Sequence, residues 1–277
     1  MKTQTKGVLL MALSAVFFSI GGIFIKLIPW SPFAINSVRC LLGAAVVFVY
    51  MAAIKKKPAV NFATLLGIGT IIGTTVLFNA ATKYTTAANA ITLEYTSPAF
   101  IILFSFLFFR KIPKKADIIA CIAVFFGIFW FFLDGLSVGN LFGNTLGLCT
   151  GVVASMLYVL KHDPKMDYIS AIFLGLLFSG IACFPSLLTE TSFSPGIIVC
   201  AVILGIFQLG VAYVLFIMGM RDCDPVPAVL AGSLEPILNP VWVALFYGEL
   251  ISPVALPGAI IVLATVTVYN VYSVKRG

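Results

Sequence analysis

Long apolar runs separated by short polar clusters dominate the sequence. A helix needs about 20 mostly apolar residues to cross the hydrocarbon layer of a bilayer, where each unpaired backbone group costs several kcal/mol. The runs and their punctuation by Lys, Arg, Pro, Gly and Asn predict ten transmembrane helices. Their predicted ranges are 7–28, 33–54, 62–82, 87–109, 116–133, 143–160, 168–188, 196–219, 225–247 and 254–273. The predicted fold class is therefore an all-α integral membrane protein.

Composition strengthens this prediction. Of the 277 residues, 61% are hydrophobic and 10% are charged, whereas about a quarter of the residues in a soluble domain are charged. The six cysteines show no CxxC or other metal-ligand spacing, so we expect neither a metal site nor a cofactor. The single histidine, His162, falls in a predicted solvated turn. Trp30, beside a predicted membrane interface, is interpreted as an anchor in the lipid headgroups.

The distribution of basic residues predicts the orientation. The net charge of +7 sits in short clusters between apolar runs, which does not indicate a nucleic-acid partner. With the N-terminus in the cytoplasm, fourteen of the seventeen basic residues face that side, and only Lys26, Arg39 and Lys83 lie at or near the other. This bias predicts an even number of spans, both termini in the cytoplasm and a location in the cell membrane.

The two halves of the chain resemble each other. An offset of 138 residues places Phe78 on Phe216, Lys83 on Arg221, Ala90 on Ala228, Pro98 on Pro236 and Lys111 on Glu249. Because five spans per half is an odd number, the second half enters the bilayer from the opposite side. We therefore predict two inverted five-helix repeats, residues 1–138 and 139–277, in one compact membrane domain. Pro98 and Pro236 are expected to interrupt helices at corresponding depths.

Short motifs are distributed along nearly the whole chain. The first half contains Ile25-Lys26, Val38-Arg39 and a Ser-Pro pair at Pro98. The second half contains the sequence Leu-Glu-Pro at 234–236 and the sequence Tyr-Gly-Glu-Leu at 247–250. In order and spacing the chain resembles the ten-span EamA-type members of the drug/metabolite transporter superfamily.

This resemblance implies a central cavity lined by spans 1, 3, 4, 6, 8 and 9, with alternating access between the halves. It also implies substrates such as amino acids, amines, choline-like cations or other metabolites. The chain departs from the family pattern at Arg110-Lys111, where the family has a Gly-Glu turn. Its first span also lacks the proton-coupling carboxylate of the small four-span relatives.

Charged residues inside the predicted spans are the first candidates for a site. An ionised group at the bilayer centre costs at least about 2.5–3.5 kcal/mol and therefore needs a partner or a purpose. Glu94 and Arg39 lie at similar depths and could either form an ion pair or contact substrate. Glu235 has no basic residue at its depth and is the stronger candidate for substrate binding.

Polar and aromatic residues accompany these charges. Ala228, Ala231, Glu235, Asn239 and Trp242 share one helix face by their spacing. The other candidates lie in the spans that the family uses for its cavity, and they are Tyr95, Asn79, Tyr158, Gln208 and Tyr213.

The predicted function is secondary transport of a small organic cation or amine, paired with a membrane carboxylate and framed by aromatic rings. An exporter of amino acids or other metabolites, with coupling protons, is the alternative. A membrane-embedded enzyme is disfavoured because no cluster of titratable residues is evident, and a channel because the repeat favours alternating gates. The expected partners are the lipid bilayer and a small substrate, with the protein acting as a monomer or a weak homodimer.

Overall fold

The computed structural model describes residues 2–109, 115–135, 140–160, 165–222, 232, 234–250, 252–254 and 256–275. All regular elements within these residues are helical, which confirms the predicted all-α class. In chain order they are α1 (Lys2–Ser19), α2 (Gly21–Leu27), α3 (Pro32–Ala53), α4 (Phe62–Tyr84), α5 (Ala87–Glu94), α6 (Ser97–Phe109), α7 (Lys115–Gly135), α8 (Asn140–Val159), α9 (Tyr168–Leu187), α10 (Pro195–Val202), a π-helical segment (Ile203–Val211), α11 (Ala212–Asp222), α12 (Leu234–Tyr247) and α13 (Leu256–Lys275).

The helices are long and apolar enough for a membrane. Within the described residues, six helical stretches meet the length and hydropathy needed to span a bilayer, and three shorter apolar helices accompany them. Large apolar side chains such as Val49, Phe62 and Leu245 are exposed on the outside of the bundle. Helices occupy the predicted ranges to within a few residues wherever the chain is described, although the first part of range 225–247 falls outside the described residues. That all ten ranges cross the membrane stays a prediction.

Helix starts follow from local sequence. The side chains of Ser31, Asn61, Thr86 and Asp167 each accept a hydrogen bond from a backbone N–H in the first turn of α3, α4, α5 and α9. Such caps satisfy donors that have no partner inside the helix. The polar residues that punctuate the apolar runs therefore also fix where the helices begin.

Within the described residues, the first and fourth predicted spans are each divided into two helices. The first span is interrupted at Ile20, between α1 and α2, and the fourth at Tyr95 and Thr96, between α5 and α6. Pro98 is the second residue of α6 and Pro236 the third of α12. A proline is tolerated in a first helical turn because its missing N–H would have no partner there. Both prolines thus lie just after the start of a helix rather than in the middle of one.

Helices from the two halves of the chain pack closely together. Helix α3 packs on α9, α4 on α8 and α9, and α1 on α11. A Cβ at Gly175 would lie 2.6 Å from Ile71, and one at Gly180 would lie 2.7 Å from Leu41. Small residues at these crossings allow the helix backbones to approach, as is common between membrane helices.

Trp30 does not act as the predicted lipid anchor. Its side chain is only 4% exposed, and its indole Nε1 donates to the carbonyl oxygen of Ser192 at 2.7 Å. Its ring packs against Phe193. The indole satisfies its polar group within the protein, so it ties the start of α3 to the segment before α10.

Candidate functional site

A buried polar network joins α3, α4 and α9. Arg39 Nη1 donates to Asn79 Oδ1 at 2.9 Å, and Asn79 Nδ2 donates to Asn36 Oδ1 at 2.8 Å. Asn36 Nδ2 donates to Ser179 Oγ at 2.8 Å, and the Ser179 and Thr75 hydroxyls lie 3.0 Å apart. All five side chains are buried. A chain of hydrogen bonds of this kind fixes the position of each member, including the charged one.

The Arg39 guanidinium is buried, and it has no ion-pair partner among the described residues. Arg39 is 3% exposed, its Cζ lies 5.9 Å from the centre of the Phe78 ring, and its Nε has no hydrogen-bond partner. Glu94 lies within electrostatic range of Arg39. No ion pair within 4.0 Å joins the two side chains in the described part of the chain, so the direct pairing considered from the sequence is not formed.

Glu94 and Glu235, here called the central carboxylates, come from the two halves of the chain. Glu94 is the last residue of α5, at the break in the fourth span, and Glu235 lies in the first turn of α12. Tyr95, next to Glu94, donates its hydroxyl to Glu235 Oε2 at 2.9 Å. Each central carboxylate is partly buried, and Glu94 lies within electrostatic range of Glu235. The helix break therefore brings two acidic groups and a phenol together.

Two buried amides lie beside the break in the first span. Asn239 is fully buried, and neither its Nδ2 nor its Oδ1 has a hydrogen-bond partner within the part of the chain that the structure describes. The Gln208 Oε1 is likewise unpartnered, and its Nε2 approaches the Phe18 carbonyl at 3.5 Å. The amides pack on adjacent glycines, Gln208 against Gly21 and Asn239 against Gly22. A buried polar group without a partner costs about 1–3 kcal/mol.

Aromatic residues complete this region. Trp242 Nε1 donates to Ser19 Oγ at 2.9 Å, which links α12 to the end of α1. The Tyr213 ring meets the Phe18 ring edge-on, with 5.1 Å between the ring centres. Tyr213 is also within electrostatic range of Arg39. The structure thus brings Glu94, Glu235 and Tyr95 together and gathers Gln208, Asn239 and Trp242 around the break at Ile20.

Several residues named in the sequence predictions fall outside the described residues. The residues that lie outside the described part are Arg110, Lys111, His162, Ala228 and Ala231, and the side chains of Pro98 and Tyr158 are likewise not described. Among the described residues, no three His, Cys, Asp or Glu side chains come close enough to hold a metal ion.

An ion pair joins α2, α5 and α12 at one end of the bundle, here called the Lys26 end. Lys26 Nζ lies 2.8 Å from Glu249 Oε2, with side-chain exposures of 12% and 19%. Lys26 also donates to the Thr85 carbonyl at 2.8 Å, and Glu249 Oε1 accepts from the Ala87 N–H at 2.7 Å. Below the pair, Ile23, Ala87 and Val243 form a buried apolar cluster. These contacts hold the three helices together at this end.

A second ion pair marks the opposite end, here called the Lys56 end. Lys56 Nζ lies 3.0 Å from Asp167 Oδ1, and Asn61 Nδ2 donates to the Lys165 carbonyl at 2.7 Å. These contacts join the segment before α4 to the segment before α9.

Comparison with known proteins identifies the family. The EamA-like transporter family matches the chain over residues 5–133 and again over residues 139–271. The chain belongs to this family. It is therefore a multi-pass membrane transporter, as the predicted resemblance implied.

Relatives of this EamA-like transporter carry little functional detail. An uncharacterized transporter from Clostridium kluyveri is 24% identical, and the match covers 93% of this chain and 91% of the relative. An uncharacterized transporter from Archaeoglobus fulgidus is also 24% identical, covering 92% of this chain and 93% of the relative. A protein of known crystal structure superposes with a TM-score of 0.67 over 99% of this chain and 100% of its own, at 18% identity. That similarity shows the fold alone.

Sequence reasoning missed several residues of the EamA-like transporter's interior. Asn36 and Ser179 lie in the polar network, Ser19 accepts from Trp242, and Glu249 pairs with Lys26. Asn36, Ser179 and Ser19 are uncharged, so the presence of charge within a span does not identify them. Glu249 lies after the end of α12, outside the predicted span. Asn36 and Arg39 are three residues apart and therefore lie on the same face of α3. This spacing was the feature of the sequence that could have indicated the polar network.

Proposed function

We propose that this protein is a secondary transporter that moves a small organic cation, an amine or a choline-like quaternary ammonium compound, by alternating access. The observation that carries the proposal is the pair of central carboxylates, held beside the Tyr95 hydroxyl at a helix break. Neither carboxylate forms an ion pair within 4.0 Å with a basic side chain in the described residues. Acidic groups in such a site need a counter-ion, which a cationic substrate would supply.

The aromatic surroundings support the same substrate class. Tyr95 contacts Glu235 directly, and the Tyr213 ring, which meets Phe18 edge-on, packs against the buried cluster that contains Cys40. Aromatic faces attract ammonium groups by about 0.5–2 kcal/mol, and most strongly where water is excluded. In the empty transporter a proton would take the place of the amine, which would couple uptake of one to release of the other.

Alternating access is supported by the relation between the halves. One family matches both residues 5–133 and residues 139–271, which favours a duplication. Pro98 and Pro236 stand at corresponding positions early in α6 and α12. With five spans in each half, the repeats would be inverted, so that each builds one of two gates. The Lys26 end would be the closed outer gate in this state, since the charge distribution assigns Lys26 to the outer side.

The test is uptake into proteoliposomes that contain the purified protein. Wild-type protein should exchange external radiolabelled choline or a primary amine for the same compound inside. Glu235→Gln should lower the affinity by more than about tenfold, because removing one partner of a buried charged pair costs about 2–5 kcal/mol. Glu190→Gln is the matched control, since Glu190 lies after α9 and accepts from the Ser31 N–H rather than from a group beside the central carboxylates.

Three results in the same assay would contradict the proposal. Unchanged choline and amine uptake in Glu235→Gln would remove this carboxylate from recognition. Exchange of amino acids with no exchange of simple amines would replace the proposed substrate class by the zwitterionic one. Single-channel currents in place of saturable exchange would exclude the carrier mechanism.

A further inference from the structure

We infer that a groove between α7 and α13 binds an anionic phospholipid of the cytoplasmic leaflet, with an acyl chain in the groove and the phosphate at its basic end. The two helices come from different halves of the chain and pack on each other. The groove has a volume of about 430 Å³, within the ~300–1,000 Å³ of small-molecule sites. It involves neither α5 nor α12, which carry the central carboxylates.

The groove opens where a tight contact between the two helices ends. Val124 of α7 packs with Ala259 and Val262 of α13 in one buried cluster. A Cβ at Gly127 would lie 2.7 Å from Val262, so the two helices approach closely there. Nearer the start of α7 and the end of α13, small side chains leave space between the helices. The groove is lined by Ala116, Ile119, Ala120 and Ala123 of α7 and by residues of α13 that include Ala264 and Val268.

An exposed apolar surface surrounds the groove. Ile119 and Val268 line it and are 67% and 68% exposed. On a multi-pass membrane protein such a surface is in contact with acyl chains. From Ala264 to Tyr272 the groove follows α13 for about 12 Å, which is close to the ~15 Å hydrocarbon depth of one leaflet. Its length therefore fits the acyl chain of a lipid in a single leaflet.

The groove begins at a basic end of the two helices. Lys115 is the first residue of α7 and is exposed. Lys275 is the last residue of α13 and follows the lining residue Tyr272 by three positions, so the two share a helix face. Residues 114–120 and 270–277 together contain four basic residues and one acidic residue. The basic clusters predict that this end faces the cytoplasm, where such clusters attract anionic lipid headgroups.

A second copy of the chain is the other partner that could cover this face. A dimer axis along the membrane normal would bring the basic ends of two copies together at the same surface, where like charges repel. An anionic phospholipid instead places a negative charge at this end and an apolar chain beside it. The charge and the apolar lining of the groove therefore both favour the lipid.

Photo-crosslinking in proteoliposomes tests this site. The vesicles contain dioleoylphosphatidylcholine with dioleoylphosphatidylglycerol as the minor component, so the two lipids differ only in their headgroups. The photoreactive residue p-benzoylphenylalanine replaces either Ile119 or Ile118, which is exposed on the adjacent position of α7 but does not line the groove. Mass spectrometry of the adducts gives the lipid ratio at each position. Phosphatidylglycerol should be enriched at least about fivefold at Ile119 relative to Ile118.

Removal of the basic side chains tests recognition of the headgroup. The double variant Lys115→Gln, Lys275→Gln should reduce the enrichment at Ile119 to less than about twofold, because the attraction to the lipid phosphate is lost. Lys55→Gln, Lys57→Gln is the matched control. Both of its residues are exposed and follow α3, on the side that the charge distribution also assigns to the cytoplasm. This control loses the same charge and should keep the enrichment.

Filling the groove tests where the acyl chain lies. Ala264→Phe adds a ring to an exposed position that lines the groove, and it should lower the lipid adduct at Ile119 while leaving that at Ile118 unchanged. Ile260→Phe is the matched control, since Ile260 is exposed on α13 outside the groove. The lysine variants change only helix ends, so they still test the site if Ala264→Phe does not fold.

Each contrary outcome would overturn the inference in a different way. Equal lipid ratios at Ile119 and Ile118 would show that the groove holds bulk lipid without selection. Adducts at Ile119 that link two protein chains would show that this face is an interface between copies. Unchanged enrichment in Lys115→Gln, Lys275→Gln would exclude recognition of the phosphate by these side chains.

Discussion

The unpaired amide of Asn239 packs directly on Gly22, where α2, α5 and α12 meet. Both polar atoms of Asn239 are buried without a partner, and a Cβ at position 22 would collide with Asn239 Oδ1 and lie 3.1 Å from Ala87. If the helices at the Lys26 end separated, this desolvated amide would gain hydrogen bonds to water. Its burial therefore offsets part of the stabilisation by the ion pair, and under the proposed alternating-access mechanism it would assist the opening of this end.

Gly22→Ala should therefore weaken the packing at the Lys26 end. Overpacking of a close contact costs about 1–3 kcal/mol, so the melting temperature in detergent should fall. Gly69→Ala is the matched control, because a Cβ there meets nothing within 4 Å and alanine is the better helix former. A Gly22→Ala variant as stable as Gly69→Ala would show that the close approach is not required.

Asn36→Ala tests the polar network. The substitution leaves Asn79 Nδ2 without its acceptor and Ser179 Oγ without its donor. Each buried group left unpaired costs about 1–3 kcal/mol, so a clear loss of thermal stability is expected. Thr145→Ala serves as control, because Thr145 is bonded only to the Leu141 carbonyl on an exposed face of its own helix. Equal melting temperatures for the two variants would mean that the network contributes no stability.

The sequence identifies individual site residues well only where burying the side chain has a high free-energy cost. Glu94, Glu235 and Arg39 were recognisable because a charged side chain in an apolar run needs a partner or has a function. Their partners were not, because contacts such as Tyr95 to Glu235 depend on how helices far apart in sequence pack. Asn36 and Ser179 are uncharged. Because the free-energy cost of placing such side chains in an apolar helix is small, neither residue stands out in the sequence by itself.

At the scale of elements, the interruptions of the helices matter more than their lengths. The break before Pro98 was predictable, because proline restricts the residue before it and removes a donor. The break at Ile20 has no proline, and only the following Gly21 and Gly22 hint at it. The π-helical segment Ile203–Val211, which contains Gln208, carries no sequence signal that we recognise. Helix boundaries followed the apolar pattern, whereas the irregular backbone followed tertiary packing.

The ion pair at the Lys26 end should control access to the apolar cluster beneath it. Lys26→Met should destabilise the joined arrangement of this end by about 1 kcal/mol, a factor of about 5 in its population, because the pair is partly screened by solvent. The measurement is the labelling rate of Val243→Cys by a membrane-impermeant maleimide, in protein without its six native cysteines. Lys56→Met, at the other ion pair, is the control and should leave that rate unchanged.

Charge reversal extends this test. The double variant Lys26→Glu, Glu249→Lys can reform the ion pair, but a lysine at position 249 cannot accept from the Ala87 N–H. Labelling should therefore return only part of the way to the wild-type rate. No increase in Lys26→Met, or an equal increase in Lys56→Met, would show that the pair does not close this end.

At the scale of the whole molecule, an ion pair joins segments at each end of the bundle. The Lys56 end holds the segments before α4 and α9, joined by Lys56 with Asp167 and by Asn61 with Lys165. Helix α9 has 20 residues and is about 30 Å long. It therefore carries the chain across to the segment beside Trp30. The basic clusters predict that the Lys56 end faces the cytoplasm.

Cysteine labelling in intact cells tests this arrangement. Single cysteines at Lys57 and Lys165 should react only after the membrane is permeabilised, whereas one at Thr189 should react from outside. All three positions are exposed, so reactivity reports the side of the membrane rather than burial. Labelling of Lys57→Cys and Lys165→Cys from opposite sides would exclude both the orientation and the inverted repeat.

Helix α5 has a consequence for how transport could be coordinated. Its first residue, Ala87, is hydrogen-bonded to Glu249, and its last is Glu94. The eight residues form a stiff rod about 12 Å long. Any rearrangement that frees Glu249 would release the top of this rod and tilt the acid at its base. Opening of the Lys26 end and displacement of the Glu94 carboxylate would then occur in one movement of α5. No further element would be needed to couple them.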